Sequence, residues 1–329
     1  MQRGVLPPDA LNPDGSAAPK ARPPVNKPIY GILAILSASS IWGLSSIFYK
    51  ALAHVPPLEV LAHRTLWSLV FFGVVLALRG RLGAVWLALK QPRTVAVLAL
   101  AAIMISLNWG GFISSVQFGY ALEASLGYYF FPLMVVLLGA VFFGERFSRW
   151  QGAALLLMAL AVVVLTFGLG APPWIALFLG GTFSVYALLK KRVEAGPMVS
   201  VFIEVLLLAP LAAVWLYGAH AYGWSVVGRP AGWFGNNWQD TTLLVLTGPM
   251  TAGPLILFSY AAQRVRLSTL GLIQYLNPSL QFAVAALIFI EPVTPWHAMA
   301  LPLIWAALAL YSFETWRREV SASRLRRGD

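Results

Sequence analysis

The sequence predicts an all-α polytopic membrane protein, with ten transmembrane helices arranged as two inverted five-helix repeats. Three observations carry this expectation: ten apolar segments of spanning length, basic residues confined to alternate connections, and matched residues recurring at a nearly constant offset. Composition sets the class. Of 329 residues, 59% are hydrophobic and 11% charged, and the mean hydropathy is +0.75. A soluble domain carries about a quarter charged residues. The net charge of +11 does not point to nucleic acid, because the basic residues fall in short clusters between apolar runs and form no stripe with interleaved aromatics. The chain has no cysteine, which excludes disulfides, thiolate nucleophiles and Cys-ligated metals.

Residues 1–28 are rich in Pro, Ala, Asp and Gly and lack the apolar run of a signal peptide. They are expected to be a disordered cytoplasmic tail. A spanning helix needs about 20 mostly apolar residues. Ten segments qualify, at 30–50, 58–78, 94–117, 124–143, 150–169, 173–189, 198–217, 241–262, 268–290 and 296–316. Pro132, Pro210, Pro254, Pro278 and Pro302 fall inside them. Membrane helices tolerate such prolines, because neighbouring groups re-satisfy the freed backbone. The connection 218–240 holds Trp224, Trp233 and Trp238, which suits an interfacial segment lying on the outer leaflet. Residues 317–329 form a basic tail, expected to be cytoplasmic and to face the lipid headgroups.

Orientation follows from charge. With the N-terminus in the cytoplasm, 20 of the 23 Lys and Arg residues fall on the inner side, only Lys50 and Arg229 fall outside, and Arg64 alone lies within a span. Removing one span would reverse every later connection and destroy the asymmetry. Both termini are therefore expected in the cytoplasm of a multi-pass protein of the inner membrane.

The two halves, 29–169 and 170–316, match each other. Pro132, Glu145 and Trp150 recur as Pro278, Glu291 and Trp296, each 146 residues on. Ser125-Leu126-Gly127 has a counterpart in Thr269-Leu270-Gly271, while Lys50, Pro57 and Arg64 recur as Lys190, Pro197 and Glu204 at an offset of 140. Five spans are an odd number, so the second copy enters the membrane from the opposite side. An inverted-topology repeat is a signature of transporters, and it offers a route to alternating access.

Arg64 lies seven residues into the second span, roughly 10 Å deep at about 1.5 Å per residue. A charge at that depth marks a functional site by default. Glu204 lies equally deep in the seventh span. The repeat relates the two, so they are expected to face a central cavity and to pair across it; the alternative is that each is satisfied locally. His63 points about 100° away from Arg64; it could titrate near neutral pH or simply bond a neighbour. Glu59 and Glu123 stand at outer helix starts, where a carboxylate suits the helix dipole. A gating or proton-linked role is the other reading. Glu145 and Glu291, each five residues before a Trp, are expected to fix helix-turn-helix joints. Asn108 and Gln274 need partners in hydrocarbon. Trp42, Tyr186 and Tyr275 could line an aromatic, weakly polar pocket suited to small amphipathic solutes.

Four scattered histidines, with no HExxH, GxSxG or Walker loop, give no metal site, no nucleophile with its base and no nucleotide-driven pump. No cofactor is expected. A membrane-embedded enzyme or a channel without a recognisable motif is the alternative reading. Any driving force must be an ion gradient or the solute's own gradient. Proton coupling would need a titratable cavity group, for which Glu204 is the first candidate.

The residues also carry a resemblance. Trp42-Gly43, His63-Arg64 with Trp67-Ser68, Asn108-Trp109, Glu123-Ala124-Ser125-Leu126-Gly127-Tyr128 and Gly144-Glu145-Arg146 occur in the first half. Ser184, Tyr186, Lys190-Lys191, Glu204, Leu267 to Gly271 and Gln274-Tyr275 occur in the second. Together they resemble the drug/metabolite transporter superfamily with paired EamA domains, and within it the RarD-like permeases. One departure is Phe131, where such proteins usually carry Asn before the proline. The resemblance implies a ten-helix permease, with export as the family-level direction. On the combined reading, Trp42, Arg64, Asn108, Tyr128, Tyr186, Glu204, Gln274 and Tyr275 are the expected substrate-binding residues. His63 and Glu123 are the expected coupling or gating residues. The partners are a small solute, membrane lipids and, in a coupled mechanism, protons.

Overall fold

A computed structural model describes residues 28–144, 148–191, 193–226, 228–265 and 267–327. The expected N-terminal tail, the Glu145-Arg146 turn, Arg192 and Arg266 lie outside the described residues. Helices form at all ten expected places. They are α1 (Pro28–Ala51), α2 (Pro57–Leu78), α4 (Pro92–Gln117), α5 (Ala121–Phe143), α6 (Arg149–Leu169), α7 (Trp174–Lys190), α8 (Pro197–Tyr222), α9 (Trp238–Ala262), the pair α10 (Leu267–Gln274) and α11 (Leu276–Ala283), and α12 (Pro295–Arg327). Among the described residues nine segments are long and apolar enough to cross a membrane, and α7 is a shorter apolar helix of 17 residues. The protein is thus an all-α multi-pass membrane protein.

Local chemistry sets the ends. Proline opens α2, α4 and α8, where its missing N–H would have had no helical partner in any case. Ser148 and Gln151 form a reciprocal capping box on α6. Asn237 accepts from the Asp240 N–H to start α9. Gly144 and Gly170 close α5 and α6 at φ 63° and 73°, the left-handed conformation that glycine adopts without a steric cost.

Four features depart from the expected layout. A short helix, α3 (Leu82–Leu89), occupies the connection between α2 and α4; it buries Val85 and Ala88 and leaves Trp86 and Leu87 outward. The ninth span is not one continuous α-helix. It breaks at Tyr275 between α10 and α11, then passes into a π turn at Val284–Ile288. Pro278 accounts for the first break, since a proline lacks its N–H and its ring clashes with the carbonyl four residues earlier, here that of Gln274. The C-terminal basic segment is not a separate tail, because α12 runs on to Arg327. Within it, Glu314 holds Arg317 at 3.1 Å and Arg318 at 2.8 Å.

The fourth departure is the 218–240 connection, which folds onto the bundle. Helix α8 extends to Tyr222, and a small antiparallel hairpin of β1 (Ser225–Val226) and β2 (Arg229–Pro230) follows. Arg229 Nη1 donates to Ala53 O (2.7 Å) and Gln117 Oε1 (3.2 Å), and its guanidinium lies 4.4 Å from the Phe118 ring. Glu59 accepts the backbone N–H groups of Gly232 (2.9 Å) and Trp233 (2.7 Å). His54 Nε2 meets Asp240 Oδ1 at 2.9 Å. Trp233 packs edge-on against His54, while Trp238 stays 75% exposed, as an interfacial tryptophan should. The segment therefore seals the end of the bundle opposite Pro28, where α1 begins.

Helix α1 packs on α9 and α11, α4 and α5 both pack on α7, α2 packs on α8 and α9, and α6 packs on α12. The main apolar core threads α1, α4, α5, α6, α7 and α12. Lipid tails are as apolar as leucine, so close contact rather than hydrophobic burial holds membrane helices together. The α5–α7 crossing shows how. A Cβ at Gly127 would stand 2.8 Å from Ala176 O, and one at Gly180 would stand 2.9 Å from Gly127 O. At Gly181, one residue on, a Cβ meets nothing within 4 Å. Gly127→Leu is therefore expected to abolish a monodisperse gel-filtration peak of detergent-solubilised protein, whereas Gly181→Ala is expected to leave it unchanged.

Candidate functional site

Two adjoining cavities open where α1, α4, α5, α7 and α9 to α11 meet. The smaller, of about 180 Å³, is lined by Trp42, Arg64, Asn108, Trp109, Tyr128, Tyr186, Gln274 and Gln281 among others. The larger, of about 350 Å³, shares Tyr128, Phe183, Gln274 and Asn277 with it. It extends past Tyr275 to Tyr311, Ser312 and Thr315 near the end of the bundle that carries the chain termini.

The structure brings six of the eight expected binding residues to the smaller cavity: Trp42, Arg64, Asn108, Tyr128, Tyr186 and Gln274. Tyr275 lines the larger one. Asn108 is fully engaged: its Nδ2 donates to Leu179 O (2.8 Å) and Thr182 Oγ1 (3.2 Å), and its Oδ1 accepts from the Tyr128 hydroxyl (3.1 Å). These bonds tie α4, α5 and α7 together and fix the Tyr128 ring in the wall. Phe183 continues that wall, stacking on Tyr186 with the rings 8° from parallel.

Arg64 and Glu204 do not pair with each other. Arg64 Nη1 donates to the Tyr49 hydroxyl at 2.7 Å, and the guanidinium lies 4.0 Å from the Trp109 ring. Glu204 stands behind the wall. Its Oε1 takes Lys190 Nζ at 2.5 Å, and its Oε2 accepts from Tyr186 OH at 3.1 Å; Lys190 also reaches Ser200. The physical reason is proximity within one half. Lys190 ends α7 and Ser200 stands in the first turn of α8, so a cation on the adjoining helix reaches Glu204 before Arg64 on α2 can.

Neither expected coupling residue lines either of these two cavities. His63 is buried beneath the sealing segment with its ring stacked 4.7 Å from Phe234. Glu123 stands in the first turn of α5. Glu291 does not brace its own turn. Its two oxygens accept the N–H groups of Ala121 (3.0 Å) and Leu122 (2.7 Å) and so cap α5 from the other half. Tyr49, Trp109, Phe183 and Lys190 belong to the site or its support, yet were not expected there. Lys190 carried a signal, since it stands four residues after Tyr186 on the same helical face; Tyr49 carried none. Among the described residues no group of three His, Cys, Asp or Glu side chains converges to hold a metal.

Apolar spanning helices around a largely aromatic cavity with a few polar groups suit a multi-pass membrane transporter, and the similar proteins fall in that class. The EamA-like transporter family matches residues 29–167. An uncharacterized transporter of Vibrio cholerae is 37% identical over 296 residues, covering 90% of this chain and 96% of that one. The protein RarD of Streptomyces exfoliatus is 39% identical over 297 residues, covering 87% and 89%. The chain belongs to the EamA-like transporter family, in its RarD group. A solved crystal structure, 21% identical, aligns over 88% of this chain and 98% of its own with a TM-score of 0.57, which shows the shared fold.

The Lys190–Glu204 pair makes a stability prediction. Glu204→Gln leaves a cation with only 20% of its side chain exposed without its counter-charge. Breaking a buried pair costs about 3–5 kcal/mol, and the low end applies to a partly exposed lysine. The single variant is expected to lower the Tm of purified protein. Lys190→Met with Glu204→Gln is expected to recover most of the loss.

Proposed function

We propose that the protein is a secondary transporter that exports a small amphipathic metabolite or drug-like solute across the cytoplasmic membrane by alternating access. In this reading residues 29–169 and 170–316 are inverted repeats, and both termini are cytoplasmic. The observation that carries it is the way the helices exchange neighbours. A five-span shift turns α1, α2, α4, α5 and α6 into α7, α8, α9, α10–α11 and α12. The contacts α1–α9 and α1–α11 then become α7–α4 and α7–α5, while α2–α8 and α6–α12 map onto themselves; all six occur. A cavity walled by both halves can be opened at either end by rocking one half on the other. Its aromatic wall with few polar groups suits an amphipathic solute.

The absence of cysteine makes orientation directly measurable. A cysteine at Gln91, between α3 and α4, is expected to react with a membrane-impermeant maleimide only after cell lysis. One at Ala171, between α6 and α7, is expected to react in intact cells. Labelling of both in intact cells, or the reverse pattern, overturns the orientation. For transport, susceptibility of deletion and overexpression strains to a panel of amphipathic compounds is expected to shift in opposite directions. Counterflow in proteoliposomes should follow for the compounds that respond.

A further inference from the structure

We infer that the central cavity binds an organic anion, with the Arg64 guanidinium as its counter-ion. This rests on the transporter reading and names the chemical class of its solute.

The guanidinium is charged at every accessible pH. Arg64 is only 6% exposed and lines the smaller cavity. Its partners are neutral: the Tyr49 hydroxyl at 2.7 Å, the Trp109 face at 4.0 Å and the Tyr49 face at 5.7 Å. Among the described residues no carboxylate lies within 4.0 Å of it, and its Nε takes no hydrogen-bond partner. A π face and a hydroxyl stabilise a cation without cancelling its charge. Among the described residues no other ionised side chain lines either cavity. Glu204, the acid that the repeat sets against Arg64, is already committed to Lys190 and Tyr186. The cavity therefore carries one uncompensated positive charge on a side chain only 6% exposed, and a buried ion is disfavoured unless it is paired.

Two further groups point the same way. Ser39 Oγ and Gln281 Oε1 line this cavity, are buried, and take no partner among the described residues. The serine hydroxyl can donate to an anion, and Gln281 Oε1 can accept from a hydroxyl or amide elsewhere on the same solute. Much of the remaining wall is aromatic, with Trp42, Phe112, Phe183 and Tyr186, alongside Ile105, Val201 and Leu255. That surface gives a small inorganic anion nothing to contact and gives an apolar body a great deal. An apolar cavity of about 150 Å³ accommodates benzene. The chamber of about 180 Å³ fits one ring or a branched chain bearing a carboxylate, with the larger cavity left for longer solutes.

Matched pairs test this. Purified protein in lipid nanodiscs, in chloride-free buffer, is assayed for binding of benzoate, phenylacetate, indole-3-acetate and 4-methylpentanoate, each against its own neutral amide. Phenethylamine serves as the cationic control, and acetate and chloride as anions without an apolar body. The expected result is that at least one acid binds about tenfold or more tightly than its amide, with phenethylamine, acetate and chloride weaker still. Arg64→Gln is expected to erase the acid-over-amide ratio, and Arg64→Lys to keep part of it. If Arg64→Gln does not fold, the wild-type ratios decide. Amides or the amine binding as well as every acid, acids no better than acetate or chloride, or a ratio unchanged in folded Arg64→Gln would each overturn the inference. Acid-selective binding without counterflow sinks the transport reading and leaves this one standing; counterflow indifferent to charge does the opposite.

Discussion

Hydrocarbon offers no hydrogen bonds, so every polar group that enters it must find its partner inside the protein. In this chain that constraint separates the charged residues by task. Glu59 and Glu291 each spend both oxygens on backbone N–H groups, one holding the sealing segment and the other capping α5. Charge-assisted bonds of this kind are about twice as strong as neutral ones, and each joins elements more than 160 residues apart in sequence. Glu204 and Lys190 neutralise one another. Arg64, like Arg229 at the end of the bundle, has only neutral partners, and Arg64 is the one that faces the cavity. Carboxylates thus do structural work at the end opposite the termini, and the free charge sits where a solute can reach it.

The same solvent removes the usual reason for helices to associate. Leu78 and Phe167 remain 83% and 80% exposed, as lipid-facing residues should. What distinguishes the inner faces is smallness. A Cβ at Gly43 would stand 3.0 Å from Asn277 O, and one at Gly248 would stand 2.6 Å from Trp67 O. These contacts, with the Gly127–Gly180 crossing, bring backbones close enough for many weak dispersion contacts to add up. They also place α1 against α11 and α2 against α9, which sets the width of the cavity between the halves.

Much of this was legible in the sequence because the membrane writes it in long, coarse signals. Apolar runs gave ten helices, and depth in a span gave Arg64 its place at the cavity. Six expected binding residues converge because each carries a polar group that hydrocarbon cannot satisfy. Partner identity was harder. The repeat related Arg64 to Glu204 by position, but pairing is decided by reach, and Lys190 on the neighbouring helix was nearer to Glu204. Trp109 and Tyr49 hold Arg64 from two other helices, a fact of tertiary packing with no linear trace. The break at Tyr275 was implicit in Pro278, yet α5 runs unbroken through Pro132, so the residue alone does not dictate the outcome. The folding-back of 223–237 rests on Glu59 and Arg229 meeting main-chain groups, which no side-chain pattern records.

That sealing segment has a kinetic and thermodynamic meaning of its own. In the proposed alternating-access cycle, opening the far end would release the bonds of Arg229 and Glu59 and the His54–Asp240 contact. The larger cavity, by contrast, already extends to residues near the other end of α12. In a cycle that visits both ends, the far-open state is then the minor one, and apparent affinity falls in proportion to the fraction of molecules that are competent to bind. One set of contacts around Arg64 could therefore look tight when titrated from one side of the membrane and weak from the other. The difference would belong to the population of states and not to the chemistry of the pocket.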